Sequence, residues 1–456
     1  MNKSAFVVLA VALLTQAIHA QPTLDMLVSF VPWESDEANP YGSLALGNDG
    51  NFYGTTSDGN DNVGTVFQIT PGGVVTTLAA FNYTNGVNPM AELTLAEDGC
   101  FYGTTFDCGN TSGAVGTVFR VTTNGTLATL ANFEGTNGAN PTAAVVEGND
   151  GNFYGTTEYG GISSNGSMWS GDGTVFCATT NGILSNLVNF NGTNGAFPMA
   201  KLLLGCDGGF YGTTEEGGVF GQGTVFRVTT NGILTVLGNF DGTNGANPVA
   251  ALAAANDGYF YGTAAYGGIN GYGTVFRVAT NGQLTVLADF DGTNGAYPMG
   301  ALTLGSDGNF YGTTEGGGYS NGNIFRVGTN GSLTGIVNFT GTNGNWPMSS
   351  LTIGNDGDFY GTTEEGGAQY NGQEVGTGTV FKLIIPPTIN CLLDSNRVPQ
   401  LQVSGLTRPF VQVQTTSNLF TPWSTLTNLV LSGGTNQFND LTATNSGMRF
   451  YRISVE

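Results

Sequence analysis

The stretch Asp207–Gly218 (DGGFYGTTEEGG) decides the fold of this chain. Its central string FYGTT, or a near copy, occurs seven times, with first residues Phe52, Phe101, Phe153, Phe210, Phe260, Phe310 and Phe359. A period near 50 residues with strand-like content is typical of a closed or stacked array of β units. The repeat therefore predicts an architecture before it says anything about function.

One repeat divides into four strands, named A to D. In one copy strand A is Pro248–Ala254, strand B Phe260–Thr263, strand C Gly273–Val278 and strand D Leu284–Phe290. An Asp-Gly pair joins A to B in all seven copies, and such pairs favour tight hairpin turns because glycine adopts positive φ. Four antiparallel strands in about 50 residues predict one propeller blade.

The two ends of the repeat region predict closure of the array. Thr23–Phe30 matches strand D but precedes any strand A, whereas the last copy reaches Pro386 without a strand D. We therefore predict an all-β protein, a seven-bladed β-propeller over residues 21–385 that the N-terminal strand closes. Closure removes exposed strand edges. A β-solenoid is the alternative fold, but it leaves the displaced strand unexplained.

Three neighbouring segments also resemble a known family. DGGFYGTTEEGG, together with Gly223–Gly232 (GTVFRVTTNG) and Leu237–Pro248 (LGNFDGTNGANP), resembles the GloVer-type tandem repeat of secreted bacterial proteins. The resemblance covers roughly Leu24 to Leu383. It implies an exported protein, often with a C-terminal anchoring or sorting segment, and it brings no catalytic residues.

The regions outside the repeats have their own signatures. Lys3, the apolar run Ala5–Leu14 and the small residue Ala20 predict a signal peptide over residues 1–20. The mature protein is then secreted or held at the cell surface. Residues 386–456 alternate like short half-buried strands and are similar to small C-terminal β-sandwich modules. We favour a spacer or sorting role for this C-terminal β domain over ligand binding.

Composition excludes several kinds of chemistry. The only histidine, His19, lies in the predicted signal peptide, so Ser-His-Asp and Cys-His catalysis and His-ligated metals are excluded. A net charge of −22 opposes binding to nucleic acid and anionic lipid. We predict a monomer without membrane insertion, cofactor or metal. Of the five cysteines, Cys100 and Cys108 are candidates for a local disulfide.

The B–C and D–A loops share one face of the predicted propeller and vary most, so we expect a binding site there. The residue before the strand A proline is aromatic in three copies, at Phe197, Tyr297 and Trp346, and asparagine in the other four. These rings are predicted to rim the central channel, where they would stack on sugar rings. The alternative is that each ring packs against its own loop.

Acidic residues recur on the same face. Directly after strand B stand Glu158, Glu215, Glu315 and Glu364, with Glu216 and Glu365 beside two of them. Such carboxylates bind Ca²⁺ or act as an acid–base pair. The alternative is ion pairing with the strand C bases Arg120, Arg227, Arg277, Arg326 and Lys382. The longest insertion, Ile162–Asp172, contains Trp169 and is predicted to form a flap over this face; the alternative is plain variation in loop length.

We predict a non-catalytic propeller that binds an extracellular glycan or protein through this face. The predicted ligand-binding residues are Phe197, Tyr297, Trp346, Trp169, Glu216, Glu315 and Glu365. The alternative is an extracellular polysaccharide hydrolase or lyase that uses paired carboxylates. Missing histidine and scarce arginine weigh against an enzyme, because both often supply acids, bases or charge neutralisation. A purely structural role at the cell surface is a third possibility.

Overall fold

The computed structural model describes most of the chain from Gln21 onward, and the structural statements concern these residues. Residues 1–20, 31–37, 59–62, 110–112, 163–169, 318–320, 369, 371–375, 394–397, 417–421, 433, 444–449 and 456 are outside the described part. The predicted signal peptide and Trp169 therefore lie outside the described residues.

Seven four-stranded antiparallel sheets account for the repeats. Strand β1 is Thr23–Ser29. Sheet 1 contains β2 (Ala45–Leu46), β3 (Phe52–Thr56), β4 (Thr65–Ile69) and β5 (Val75–Ala80). Sheet 2 contains β6 (Thr94–Leu95), β7 (Phe101–Thr105), β8 (Thr117–Val121) and β9 (Leu127–Asn132). Sheet 3 contains β10 (Val146–Glu147), β11 (Phe153–Thr157), β12 (Thr174–Ala178) and β13 (Leu184–Asn189).

The remaining repeats follow the same order. Sheet 4 contains β14 (Leu203–Leu204), β15 (Phe210–Thr214), β16 (Thr224–Val228) and β17 (Leu234–Asn239). Sheet 5 contains β18 (Ala253–Ala254), β19 (Tyr259–Ala264), β20 (Thr274–Ala279) and β21 (Leu284–Asp289). Sheet 6 contains β22 (Thr303–Leu304), β23 (Asn309–Thr314), β24 (Asn323–Gly328) and β25 (Leu333–Asn338). Sheet 7 contains β26 (Thr352–Ile353), β27 (Phe359–Thr363), β28 (Thr379–Ile384) and, as its fourth strand, β1.

Each sheet runs in the predicted order A to D, and the all-β, propeller-like architecture is confirmed. In sheet 7 the N-terminal β1 occupies the strand D place and pairs antiparallel with β28, with Thr23 opposite Ile384 and Ser29 opposite Thr379. Strand A is shorter than predicted, with two residues in the ladder instead of seven. Its first half is held by side-chain bonds from the preceding sheet in place of a backbone ladder.

Every part of the FYGTT string has a structural role. The tyrosine ring stacks on the phenylalanine of the next sheet, as in Tyr102 on Phe153, with ring centroids 3.9 Å apart. This chain of stacks continues from sheet 7 to sheet 1, where Tyr360 meets Phe52 at 4.1 Å. Such pairs contribute about 0.5–1.5 kcal/mol beyond their buried area. The glycine is required because a Cβ at Gly54 would lie 2.6 Å from the Phe67 ring.

The two threonines join sheets and strands. The first donates its hydroxyl hydrogen to a strand A carbonyl of the next sheet, as Thr104 does to Ala143 at 2.9 Å. The same bond joins sheet 7 to sheet 1, from Thr362 to Gly42 at 3.0 Å. In six sheets the second threonine shares a hydrogen bond with the first residue of strand C, as Thr56 does with Thr65 at 2.8 Å; sheet 5 has Ala264 at this position. FYGTT is therefore core, as its recurrence predicted.

The C-terminal segment forms two three-stranded antiparallel sheets with a shared core. Its strands are β29 (Thr388–Leu393), β30 (Pro399–Gly405), β31 (Arg408–Thr416), β32 (Ser424–Leu431), β33 (Gly434–Asn439) and β34 (Phe450–Val455), with a 3₁₀ turn at Leu441–Ala443. Among the described residues no helix has the length and apolarity that crossing a bilayer requires.

All five cysteines are free, so the candidate disulfide between Cys100 and Cys108 does not form. The reason is geometric. Strand β7 lies between the two residues, and an extended segment of that length separates its end Cα atoms by about 13 Å, whereas a disulfide requires Cα atoms within about 7 Å.

Candidate functional site

Two repeat positions meet at one end of each sheet. We call the residue directly after strand B the post-B position and the residue before the strand A proline the pre-proline position. The post-B backbone N–H donates a hydrogen bond to the pre-proline carbonyl oxygen, for example from Glu315 to Tyr297 at 3.0 Å and from Glu215 to Phe197 at 3.0 Å. Each post-B side chain is therefore held beside its pre-proline partner.

All seven pre-proline residues have left-handed backbone, with φ between 52° and 58°. Asparagine tolerates this conformation, which explains the four asparagines, Asn39, Asn88, Asn140 and Asn247. A bulky aromatic residue there is strained, at a cost of roughly 1–2 kcal/mol. The three aromatic residues of this position therefore occupy a backbone site that disfavours them.

The aromatic residues occur only where the post-B residue is glutamate. Phe197 faces Glu215, Tyr297 faces Glu315 and Trp346 faces Glu364, in sheets 4, 6 and 7. The fourth glutamate, Glu158 in sheet 3, has Asn140 as its partner. The other sheets place serine, phenylalanine or alanine after strand B. In these three sheets the strained aromatic residue and the glutamate therefore form a pair, joined by a backbone hydrogen bond. The two positions lie far apart in the sequence, so the sequence alone did not reveal this pairing.

The three aromatic side chains have different surroundings. The Phe197 ring lies 5.5 Å from Tyr159 of sheet 3, and the Tyr297 ring 5.3 Å from Tyr266 of sheet 5, so both pack on the neighbouring sheet's loop. The equivalent residue of sheet 6 is Gly316, which offers Trp346 no ring. Trp346 is 39% exposed. It is the most accessible of the three predicted rim aromatics.

Glu364 is electrostatically the most perturbed of the post-B carboxylates. Burial, followed by repulsion from Glu365, Glu315 and Asp58, raises its pKa from 4.5 to about 7. A carboxyl with this pKa is present in both protonation states at neutral pH. Glu364 can therefore release or accept a proton under ordinary conditions.

The other post-B glutamates are shifted in the same direction. Burial raises the pKa of Glu158, Glu215 and Glu315, and repulsion from Glu216 and Glu158 adds to the shift of Glu215. Hydrogen bonds oppose this rise at Glu158, from Tyr159, and at Glu215, from Asn247. These carboxylates are therefore harder to ionise than solvent-exposed ones.

Tyr41 interacts electrostatically with carboxylates from three other sheets. It follows the strand A proline of sheet 1, where the other copies have Met90, Thr142, Met199, Val249, Met299 and Met348. Burial and the nearby charges of Glu364, Glu315 and Glu158 raise its pKa to about 12. Its phenol is therefore protonated at neutral pH and can donate a hydrogen bond. Tyr41 was not among the residues predicted from the sequence, although its departure from the repeat could have identified it.

We call Tyr41, Asp58, Glu315, Trp346 and Glu364 the Glu364 cluster. Its residues come from sheets 1, 6 and 7. Tyr41, Asp58 and Glu315 interact electrostatically with Glu364, and the Trp346 carbonyl oxygen accepts a hydrogen bond from the Glu364 backbone N–H. Of the predicted ligand-binding residues, the cluster includes Glu315 and Trp346. Phe197, Tyr297 and Glu216 lie at sheets 4 and 6 outside it.

The predicted residue Glu365 lies beside the cluster, next to Glu364. Its carboxylate accepts a hydrogen bond from Asn345 Nδ2 at 3.0 Å, and burial raises its pKa. Trp169 lies outside the described residues.

The described strand C bases that form ion pairs do so at the opposite end of strand B. Arg227 pairs with Asp207 at 2.7 Å and Lys382 with Asp356 at 2.7 Å, both aspartates of A–B turns. Arg120 pairs likewise with Asp98. These bases therefore form their ion pairs with aspartates of the A–B turns. The alternative explanation, that the post-B glutamates serve as their partners, is not supported by these pairs. Within the described part of the chain, no three Asp, Glu, Cys or His side chains converge to hold a metal ion.

These features define a class, the propeller-like repeat proteins with a carboxylate-lined loop face. A model of the Gloeobacter/Verrucomicrobia repeat matches residues 15–202 and 163–381, and the chain belongs to this repeat family. The predicted resemblance is thereby confirmed. No curated protein matches the chain.

Solved structures similar to the chain include three described as enzymes. A gluconolactonase from Xanthomonas campestris has 12% identity and a TM-score of 0.41, with 81% of this chain and 96% of that chain covered. A putative 6-phosphogluconolactonase from Bacteroides fragilis has 17% identity and a TM-score of 0.45, covering 88% and 97%. A puromycin-hydrolysing peptidase from Mycobacterium tuberculosis has 12% identity and a TM-score of 0.49, covering 84% and 62%.

Our prediction of a non-catalytic propeller that binds a glycan or protein is wrong on this comparison, since the similar structures are described as hydrolytic enzymes. At identities of 12–17% the comparison transfers no residue role.

Proposed function

We propose that this protein is a hydrolase whose acid–base residue is Glu364. The observation that supports the proposal is the pKa of about 7, which burial and neighbouring carboxylates produce at that side chain. General acid–base catalysis is most efficient when the pKa of the catalytic group lies near the working pH. No histidine is needed for such a step.

The proposed reaction is hydrolysis of an uncharged ester or lactone. Ionised Glu364 accepts a proton from water while the water oxygen bonds to the carbonyl carbon. The protonated Glu364 then returns this proton to the leaving oxygen as the carbon–oxygen bond breaks. The products are a carboxylic acid and an alcohol, and no redox partner is involved.

Tyr41 fits a second role in this reaction. Its phenol stays protonated, because its pKa is about 12, and it lies within the electrostatic reach of Glu364 and Glu315. A phenolic O–H can donate a hydrogen bond to the negative oxygen that develops on the attacked carbonyl. The described strand C bases face the opposite end of the sheets, so Tyr41 is the donor that we assign.

Charge restricts the proposed substrate. The post-B glutamates and Glu365 make this face acidic, and the protein as a whole has a net charge of −22. Anionic substrates are repelled by such a face, whereas neutral or cationic ones are not. Trp346, whose backbone carbonyl accepts the Glu364 N–H, has an exposed ring that offers an apolar surface for the acyl or alcohol part of the substrate.

The architecture that we propose for this site is a closed seven-bladed β-propeller over residues 21–385, with a separate C-terminal β domain over 386–456. Closure is supported by the pairing of β1 with β28, the Tyr360–Phe52 stack and the bond from Thr362 to Gly42. We propose further that the protein is exported and acts as a monomer outside the cell.

Hydrolysis of p-nitrophenyl acetate, p-nitrophenyl succinate and simple lactones tests the proposed function. We expect the neutral ester to be cleaved faster than the anionic succinate ester. Glu364→Gln should lower kcat/KM by roughly 10²–10⁴-fold, whereas Glu216→Gln, an exposed control carboxylate, should change it by less than about twofold. Full activity in a folded Glu364→Gln variant, or no hydrolysis of any neutral substrate, would contradict the proposal.

A further inference from the structure

The turn between β30 and β31 connects the C-terminal segment to the repeat sheets. Leu406 in this turn is 2% exposed and belongs to a core cluster with Tyr311 of sheet 6 and Phe359 of sheet 7. The backbone N–H of Thr407 donates a hydrogen bond to Ser306 Oγ at 2.6 Å. The contact therefore combines a buried apolar anchor with a polar bond.

Arg408, the next residue, is the charged anchor of the same contact. It is 1% exposed, forms an ion pair with Asp358, and donates a hydrogen bond from Nη2 to the carbonyl oxygen of Ile385 at 2.9 Å. Lys382 joins the network, with Nζ 3.0 Å from Asp358 and 2.7 Å from Asp356. A buried charge of this kind persists only when it is paired, and loss of one partner strongly destabilises the fold.

The repeat is altered where Arg408 binds. Asp358 stands two residues after the A–B turn aspartate, and the equivalent residues in the other copies are uncharged: Asn51, Cys100, Asn152, Gly209, Tyr259 and Asn309. Only sheet 7, which contains the N-terminal strand, has an acid at this position. The partner of Arg408 is thus a departure from the repeat, and the repeat scaffold itself does not require it.

We propose that the C-terminal segment is a clamp that holds the N-terminal strand in sheet 7. The core cluster that receives Leu406 also contains Leu24 of β1. Lys382, which binds the same carboxylate as Arg408, lies opposite Asp25 in the β1–β28 ladder. The clamp therefore acts on the sheet whose strands come from both ends of the repeat region. This role differs from the spacer or sorting role predicted from sequence, and it is independent of the proposed hydrolysis.

Two glycines provide a matched test in the full-length mature protein. Gly357 and Gly308 occupy the same A–B turn position in sheets 7 and 6, and both have φ of +80°. A Cβ at Gly357 would overlap the carbonyl oxygen of Thr407, whereas a Cβ at Gly308 would meet nothing within 4 Å. The stability lost in Gly308→Ala therefore reports the backbone strain alone. Gly357→Ala has the same backbone strain and, in addition, displaces the C-terminal segment from sheet 7.

We expect Gly357→Ala to lower Tm by roughly 5 °C more than Gly308→Ala. Amide hydrogen exchange in β1 should become at least about tenfold faster in Gly357→Ala, with β13 of sheet 3 unchanged as an internal reference. Equal Tm values and equal exchange in β1 for the two variants would overturn the proposal.

A second pair of variants, each of which loses one arginine, tests the proposal if Gly357→Ala does not fold. Arg408→Met removes the buried anchor, and Arg452→Met removes an exposed arginine of the same segment, which contacts Gln414 and Trp423. We expect faster exchange in β1 for Arg408→Met alone. If Arg408→Met affected exchange only within β29–β34, the contact would stabilise the C-terminal segment itself and the clamp proposal would be wrong.

Discussion

The backbone N–H of Glu364 donates a hydrogen bond to the carbonyl oxygen of Trp346 at 3.2 Å. This bond places a carboxyl with a pKa of about 7 beside the most exposed of the rim aromatics. The pre-proline backbone of Trp346 is left-handed, with φ of 52°. One hydrogen bond thus couples a strained residue to the group that we assign as the acid–base catalyst.

Glu364 makes protein stability depend on pH. An ordinary glutamate, as in the unfolded chain, has a pKa of 4.5, whereas Glu364 in the folded protein has a pKa of about 7. Between these two pH values the folded state therefore binds more protons than the unfolded state. Its contribution to stability is therefore fully present below pH 4.5 and is lost as the pH rises through 7. After discounting for its partial exposure, we expect the loss to be at most about 2 kcal/mol.

Denaturant unfolding at pH 4.5 and pH 8 measures this effect. Glu364→Gln should make the stability difference between the two pH values smaller than in the parent protein. An unchanged pH dependence in Glu364→Gln would show that the carboxyl titrates as it does in the unfolded chain.

Trp346→Asn should stabilise the protein while impairing the site. Asparagine is the residue of this position in four of the seven copies and tolerates the left-handed backbone. We expect a gain of roughly 1 kcal/mol in the free energy of unfolding. Asn247→Ala, at the equivalent position of sheet 5, is the control and should be destabilising. Lower stability in Trp346→Asn would mean that ring packing outweighs the strain.

Two equivalent threonines test whether the array of sheets is closed. Thr104 bonds to Ala143 between sheets 2 and 3, and Thr362 bonds to Gly42 between sheets 7 and 1. Valine at either position leaves a buried carbonyl without its partner, at a cost of about 1–3 kcal/mol. In a closed ring Thr362→Val should lose at least as much stability as Thr104→Val, because the Thr362 hydroxyl also bonds to Ser349 Oγ at 2.8 Å. A near-neutral Thr362→Val beside a costly Thr104→Val would indicate an open array.

The cysteines should differ in reactivity, because Cys206 is exposed and Cys100 is buried. We expect a maleimide to label Cys206 first in the native protein, without prior reduction. Labelling of Cys100 should require unfolding. Mass spectrometry of proteolytic peptides reads out both sites, and a Cys100–Cys108 peptide linked by a disulfide would contradict the free thiols of the structure.

Much of the fold could be predicted from local patterns. The Asp-Gly turns, the strand alternation and the displaced strand D segment predicted four-stranded sheets and the pairing of β1 with the last repeat. The length of strand A was overestimated, because apolar character continues into a segment whose carbonyls bind threonine hydroxyls of the neighbouring sheet. A single repeat carries no information about that contact.

Less of the site could be predicted. The recurrence of Glu315 and Glu364 was visible, as was the aromatic character of Trp346. Their direct pairing was not, because the residues of a pair are separated along the chain by strands A and B. Tyr41 was missed because it contributes a single phenol in a copy without a post-B glutamate.

The FYGTT period by itself determined the strand pattern, the number of repeats and the core role of the repeated string, because turn chemistry and side-chain alternation act over a few neighbouring residues. Only the tertiary structure decided the chemistry of the loop face. It gathers Glu158, Glu315 and Glu364 from separate sheets near Tyr41, and removes them partly from water. Burial and repulsion between carboxylates raise a pKa only at short range, so distance along the chain could not reveal them.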